Sequence, residues 1–290
     1  MNFRLVKKSL DLIEAELENL LEIQNESLRM GQVSTSAKAI LALSKVLDLR
    51  GPSLLRIPRY LMTLEAYGNE KSALVLKLRI ELAKAYWSAG DWEKVMETLI
   101  SAEELAIYLG EFNFLVSVYK EMGKTLGDRG YHQSGADLLS KGLEVLRINH
   151  IDNKPLELQL YLHLAASAEK TDDIEKCLQF LARADLLADE LNNGSYKGLI
   201  HNKRGLALWH HGKVEEAHQQ LLEAASCADE INNNTWKPAH LTNLGLILGD
   251  LGLYSDAITC FKKADELHNK LGYKHWAAVN YGGWGRVLML

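Results

Sequence analysis

Histidine, lysine, asparagine and the carboxylates are the residues of this chain best suited to chemistry, and their spacing decides which chemistry is open. His210 and His211 precede His218 by eight and seven positions, a separation that puts imidazoles on one helix face and would suit a metal. Gly212 interrupts a helix between them, and no Cys or carboxylate stands at ligand spacing, so these histidines read as solvated or surface-facing. Carboxylates such as Glu103-Glu104 and Glu215-Glu216 spread along helix faces, which is the pattern of solvated surface. The chain has no P-loop, no GxGxxG, no GxSxG and no HExxH. No catalysis, cofactor or metal is therefore expected. Asn202, Lys203 and Asn243 offer something else. An Asn side chain presents both a donor and an acceptor to an extended backbone, and a Lys attracts a carboxylate. That chemistry is peptide recognition.

Such residues need a scaffold, and the sequence supplies one by repetition. Turns recur at Gly90, Gly130, Asp172, Gly212 and Gly252, about 40 residues apart, with a two-residue insertion between the second and third copies. Seven positions before each turn stands a small residue (Ala83, Gly123, Ala165, Gly205, Gly245), and twelve after it another (Ala102, Gly142, Ala184, Ala224, Ala264). A large apolar residue recurs at Leu99, Leu139, Leu181, Leu221 and Phe261. A small or medium one marks the helix crossing at Val95, Gly135, Cys177, Ala217 and Ala257. In the clearest copy, Leu244, Ile247, Leu248 and Leu251 lie at helical spacing before the turn, and Ile258, Phe261, Ala264 and Leu267 after it. The spacing predicts five helical hairpins, with small residues where two helix axes cross and a large one filling the space beside them. Only four prolines in 290 residues agree with long helices, since an interior proline costs a helix about 3 kcal/mol.

This pattern resembles the tetratricopeptide repeat over about three quarters of the chain, from Ala73 onward. The resemblance implies an all-α solenoid of tandem helix-turn-helix hairpins forming a right-handed superhelix, whose first helices line a concave surface. The residues two before and one after each first-helix small position would then face a partner. They are Glu81, Glu121, His163, Lys203 and Asn243, and Lys84, Lys124, Ala166, Leu206 and Leu246, with Asn202, Trp209 and His210 close by. Of these, Lys84, Lys124, His163, Asn202, Lys203, Trp209 and Asn243 are the expected partner-binding residues, although packing between repeats suits Trp87 and Trp209 better than a role as groove-facing anchors. The usual period is about 34 residues. The longer one here is similar to that of bacterial transcription regulators, peptide-pheromone receptors and some eukaryotic adaptors.

Residues 1–72 follow different rules. A helix is expected over residues 3–30, with Val6, Leu10, Ile13, Leu17 and Leu20 as a short four-three seam that Gln24 breaks. A second should start after Ser34-Thr35-Ser36 and end by Gly51-Pro52, and a third should run from Ser53 to Tyr67, bent near Pro58. This segment is a degenerate repeat or a cap, and residues 73–290 are five repeats plus a half. His275 to Leu290 repeats a first helix, which suggests a fragment of a longer protein, a lone cap or a subunit contact.

The net charge of −5 gives no reason to expect nucleic-acid binding. Three cysteines without CxxC spacing point to a reducing compartment, and no stretch resembles a signal peptide or a membrane span. The expected function is a cytoplasmic scaffold or sensory module that binds a protein or peptide, with a homodimer through the first helix or the final half-repeat as an option. A pheromone-type peptide receptor and the input domain of a longer signalling enzyme are the alternatives.

Overall fold

A computed structural model describes residues 17–50, 53–230, 236–271 and 274–289. Among them are fourteen helices and no strand. They are α1 (Leu17–Arg29), α2 (Val33–Arg50), α3 (Ser53–Tyr67), α4 (Ala73–Ala89), α5 (Trp92–Leu109), α6 (Phe112–Asp128) and α7 (His132–Ile148). The series continues with α8 (Lys154–Lys170), α9 (Ile174–Glu190), α10 (Gly194–His210), α11 (Val214–Glu230), α12 (Lys237–Asp250), α13 (Tyr254–Leu271) and α14 (Lys274–Leu288). Two compact units divide inside α8, one running to His163 and the other from Leu164.

Each expected turn is built in one way. Gly90, Gly130, Asp172, Gly212 and Gly252 have φ between 61° and 87°, the left-handed conformation that glycine adopts without strain. The next backbone N–H reaches back to close the helix: Asp91 to Tyr86, Tyr131 to Leu126, Asp173 to Ala168, Lys213 to Leu208 and Leu253 to Leu248, at 2.8–3.0 Å. This satisfies carbonyls that a helix end leaves open. The 40-residue period therefore lies in long helices, 17 residues each in α6 and α7, and not in long loops.

The small positions carry the packing. A Cβ on Gly123 would lie 2.7 Å from Leu139 Cγ, one on Gly205 2.9 Å from Leu221 Cγ, and one on Gly245 2.9 Å from the Phe261 ring. Leu99, Leu139, Leu181, Leu221 and Phe261 are all fully buried. One core position departs from the rule. Leu78, Val118, Leu160 and Ile200 are buried equivalents in four copies, and the fifth carries His240, also buried.

The N-terminal helices keep the same register with the wrong residues. Gly31 has φ 71°, and Gln32 N–H closes on Ser27 O at 2.7 Å, as in the five later turns. Gln24 fills the small slot and Ser36 the crossing slot, while Ile40 and Leu43 take the two positions beyond; all four are buried. Gln24 donates to Thr63 Oγ1 at 3.1 Å and to Arg59 O, while Arg59 donates back to Gln24 Oε1 at 2.9 Å. The residue that breaks the apolar seam thus ties α1 to α3 by a satisfied polar network.

One boundary differs from expectation. α2 begins at Val33, before Ser34, because Gln32 O already accepts from Thr35 and Ser36 N–H. The Ser36 hydroxyl is spent 3.3 Å from Thr63 Oγ1 instead. The third expected helix matches α3, with Pro58 inside it. Val6, Leu10 and Ile13 of the expected seam, and Ile231 to Asn234 among the inserted residues, lie outside the described residues.

Candidate functional site

The first helices present two recurring positions, nine and six residues before each turn, and all ten side chains there are half-buried. Within each unit they are neither core nor fully solvated, which suits contact. Their chemistry differs between the two units.

In the N-terminal unit the charges answer one another. Lys84 Nζ lies 2.8 Å from Glu81 Oε1, and Lys120 Nζ lies 3.1 Å from Glu121 Oε1 and 2.8 Å from Gln159 Oε1. Burial pushes the Glu121 carboxyl up, but Lys120, Lys84 and Lys124 outweigh it and hold it below the usual carboxylate range. Burial likewise opposes charge on Lys84, yet Glu81 and Glu121 raise its pKa. Lys124 Nζ sits 3.6 Å above the Trp87 ring, a cation–π contact. Lys84 and Lys124 are therefore engaged within the fold. His163, half-buried, closes this unit.

In the C-terminal unit Lys203 is the charged residue at these recurring positions. Lys203 is half-buried, and no hydrogen bond or ion pair within 4 Å reaches its Nζ among the described residues. Burial lowers its pKa, and the more distant Glu169 only partly opposes that. Leu206 and Leu246, at the positions six before the turns of the same unit, are half-buried and apolar. Asn243 donates from Nδ2 to Asn202 Oδ1 at 2.9 Å. Asn202 is itself buried at 8% exposure, so its oxygen serves the fold, and Asn243 is the more accessible of the two amides.

Trp209 belongs to a recurring clasp. Its indole Nε1–H donates to Asp250 Oδ2 at 2.7 Å, and Trp87 donates to Asp128 Oδ2 at 2.9 Å, each across 41 residues. The equivalent positions in the neighbouring pair are Glu169 and His210, whose Oε1 and Nδ1 lie 2.7 Å apart. Each clasp joins the ends of successive first helices. Arg286 Nη2 adds a bond to Asp250 Oδ1 at 2.9 Å. The clasp needs a partner one repeat away, which is why tryptophan spacing alone left its role open. Removing the donor with Trp209→Phe should cost about 0.5–1.5 kcal/mol, typical of one hydrogen bond. A double-mutant cycle with Asp250→Ala, read by urea denaturation, should return a coupling of that size; no coupling would show the contact to be idle.

No protein-family model matches the chain, and no curated protein does. Solved structures do. A signal-transduction ATPase with a tetratricopeptide repeat sensor from Pyrococcus horikoshii matches at TM-score 0.68 and 17% identity, covering 97% of this chain. This chain spans only 44% of that protein. A Rap protein complexed with competence and sporulation factor matches at TM-score 0.63 and 15% identity, over 95% of this chain and 85% of that one. The Rap conjugation gene regulator of the plasmid pLS20, in complex with the Phr* peptide, matches at TM-score 0.63 and 14% identity, over 90% and 77%. The fold is that of the tetratricopeptide-type helical repeat.

Proposed function

We propose that this chain is a protein- or peptide-binding module of a regulatory system, and that a partner segment lies along the first-helix face of the C-terminal unit. The observation that carries this reading is Lys203. A half-buried ammonium without an ion pair, on a first-helix face that also carries Leu206 and Leu246, suits a carboxylate followed by an apolar side chain. Asn243 would hold the adjoining backbone. The N-terminal unit meets its own charges and is not assigned a role in this contact. The module acts by binding and not by catalysis, in the cytoplasm. Peptide reception gains support from the pLS20 regulator, of similar fold, whose structure holds a peptide.

A library of peptides with free carboxylates, each compared with its amidated or Asn/Gln-substituted form by fluorescence polarisation, tests the site. Binders should need the carboxylate, and Lys203→Glu should weaken them about tenfold or more, a loss of about 1.4 kcal/mol or greater. Asn243→Ala should weaken them less. Equal affinity for wild type and Lys203→Glu would overturn the assignment.

A further inference from the structure

One junction between successive hairpins lacks the ion pair that closes two others. Across α9 and α10, Lys197 Nζ lies 2.7 Å from Asp185 Oδ1 and 2.8 Å from Asp189 Oδ1. Across α11 and α12, Lys237 meets Asp229. Both lysines stand fifteen positions before a turn, and Asp189 and Asp229 stand seventeen after one. The same positions across α7 and α8 carry Glu157 and Arg147, with the charges reversed. These two do not meet, because no hydrogen bond or ion pair engages the Arg147 side chain among the described residues. A cavity of about 530 Å³ opens there instead, with Leu143, Leu146, Ile151 and Tyr161 as its apolar lining and Glu144, Arg147 and Glu157 as its charged one. All seven belong to the N-terminal unit. Leu146 stands where other copies carry Ala106, Ala188 and Ala228, which adds apolar bulk to this junction.

The cavity is formed in advance. The two-residue insertion of the repeat falls in the α7–α8 link, 149–153, which is longer than the α9–α10 link, 191–193. Ile151 N–H closes on Leu146 O at 2.9 Å, and Asn149 Nδ2 donates to Val145 O at 2.9 Å. Asn153 donates from Nδ2 to Asn113 Oδ1 at 2.9 Å and accepts from Leu156 N–H at 3.2 Å. A link tied to α6, α7 and α8 needs little further ordering when a ligand binds. The lining then selects the ligand. Glu144 and Arg147, one turn apart on α7, are both exposed, and neither side chain has a partner among the described residues. A lone carboxylate would meet Arg147 but also face Glu144, and a lone ammonium would meet Glu144 but also face Arg147. A molecule that carries both charges answers both. The volume lies within the range of small-ligand sites and exceeds what one amino acid fills. We propose that this cavity binds a small zwitterion with an apolar body, of the size of an apolar dipeptide, its carboxylate on Arg147 and its ammonium on Glu144. This site is separate from Lys203 and does not depend on it.

The probe is leucylphenylalanine, titrated at millimolar concentration into the 1–290 protein in a calorimeter, beside its N-acetyl and C-amide forms. Saturable binding is expected, and each blocked form should bind about tenfold more weakly or worse. Arg147→Glu should abolish binding. Exchanging the charges with Glu144→Arg and Arg147→Glu together should restore it, because the rim again carries one of each sign. Both positions are exposed, so the melting temperature should stay unchanged in either variant. Lys203→Glu should leave the affinity as it is. No binding to the wild type, blocked forms that bind as tightly as the free dipeptide, or binding that survives Arg147→Glu overturns the proposal. So does binding that Lys203→Glu removes, since the dipeptide would then occupy the other site.

Discussion

Replacing Phe261 with alanine is expected to lower the stability of the C-terminal unit by about 3–5 kcal/mol, the range for emptying a fully buried aromatic site. Phe261 touches the first helices on both sides of it. Cβ atoms built on Gly245 and Gly283 would lie 2.9 Å and 3.3 Å from its ring, and the Trp284 indole stacks on it at an interplanar angle of 13°. Glycine backbones cannot close around the void, because helix axes already cross there. The complementary change, Gly245→Val, should also destabilise, by about 1–3 kcal/mol, since its side chain would enter the ring. Combined with Phe261→Ala, that valine should fill part of the cavity, so the double variant should be more stable than the sum of single losses by about 0.5–3 kcal/mol. Urea denaturation followed by tryptophan fluorescence reads both effects, with Trp284 beside the void. A Phe261→Ala loss below about 1 kcal/mol would mean that the small-large pairing is not what holds these hairpins.

That pairing was also the part of the molecule most legible in the sequence, for a physical reason. A helix crossing leaves room for a small residue and nothing else, so Gly123, Gly205 and Gly245 mark it without any coordinates, and Leu139, Leu221 and Phe261 follow at fixed spacing. Left-handed turns are marked for the same kind of reason, since four of five fall on glycine. The hairpin of α1 and α2 escaped the pattern because Gln24 and Ser36 fill slots that small residues fill elsewhere. Burying them required partners on α3, Thr63 and Arg59, that no local spacing reveals. At the candidate site register alone put Lys203 at a recurring first-helix position, and that position is half-buried. It did not show that Lys84 would be answered by Glu81, or that Asn202 would be buried and occupied by Asn243. Ion pairs at the surface of a helix depend on side-chain rotamers and on the next helix, and both lie outside a repeat pattern.

Acid should expose the other departure from the repeat. His240 stands where Leu78, Val118, Leu160 and Ile200 stand in the other copies. It is 2% exposed, its Nδ1 has no hydrogen-bond partner, and burial pushes its pKa down from 6.5 to about 4. The folded unit therefore holds it neutral, while the unfolded chain protonates it below pH 6.5. A group with a depressed folded-state pKa of this kind favours the unfolded chain as pH falls from 6.5 towards 4, and has little effect above 7. For a shift of this size the unit should lose about 2 kcal/mol between pH 7 and pH 5 through this one residue. His240→Leu restores the residue type of the equivalent positions. It should add about 1–3 kcal/mol at pH 7 by removing an unpaired buried nitrogen, and should add about 2 kcal/mol more at pH 5. His268, also buried with its pKa lowered chiefly by burial, is untouched by the substitution, so some acid sensitivity should persist in the variant. Comparing the two proteins by urea denaturation from pH 4.5 to 7.5 isolates the term, because every carboxylate is common to both. Parallel stability curves would show that His240 is not the buried neutral imidazole that its surroundings demand.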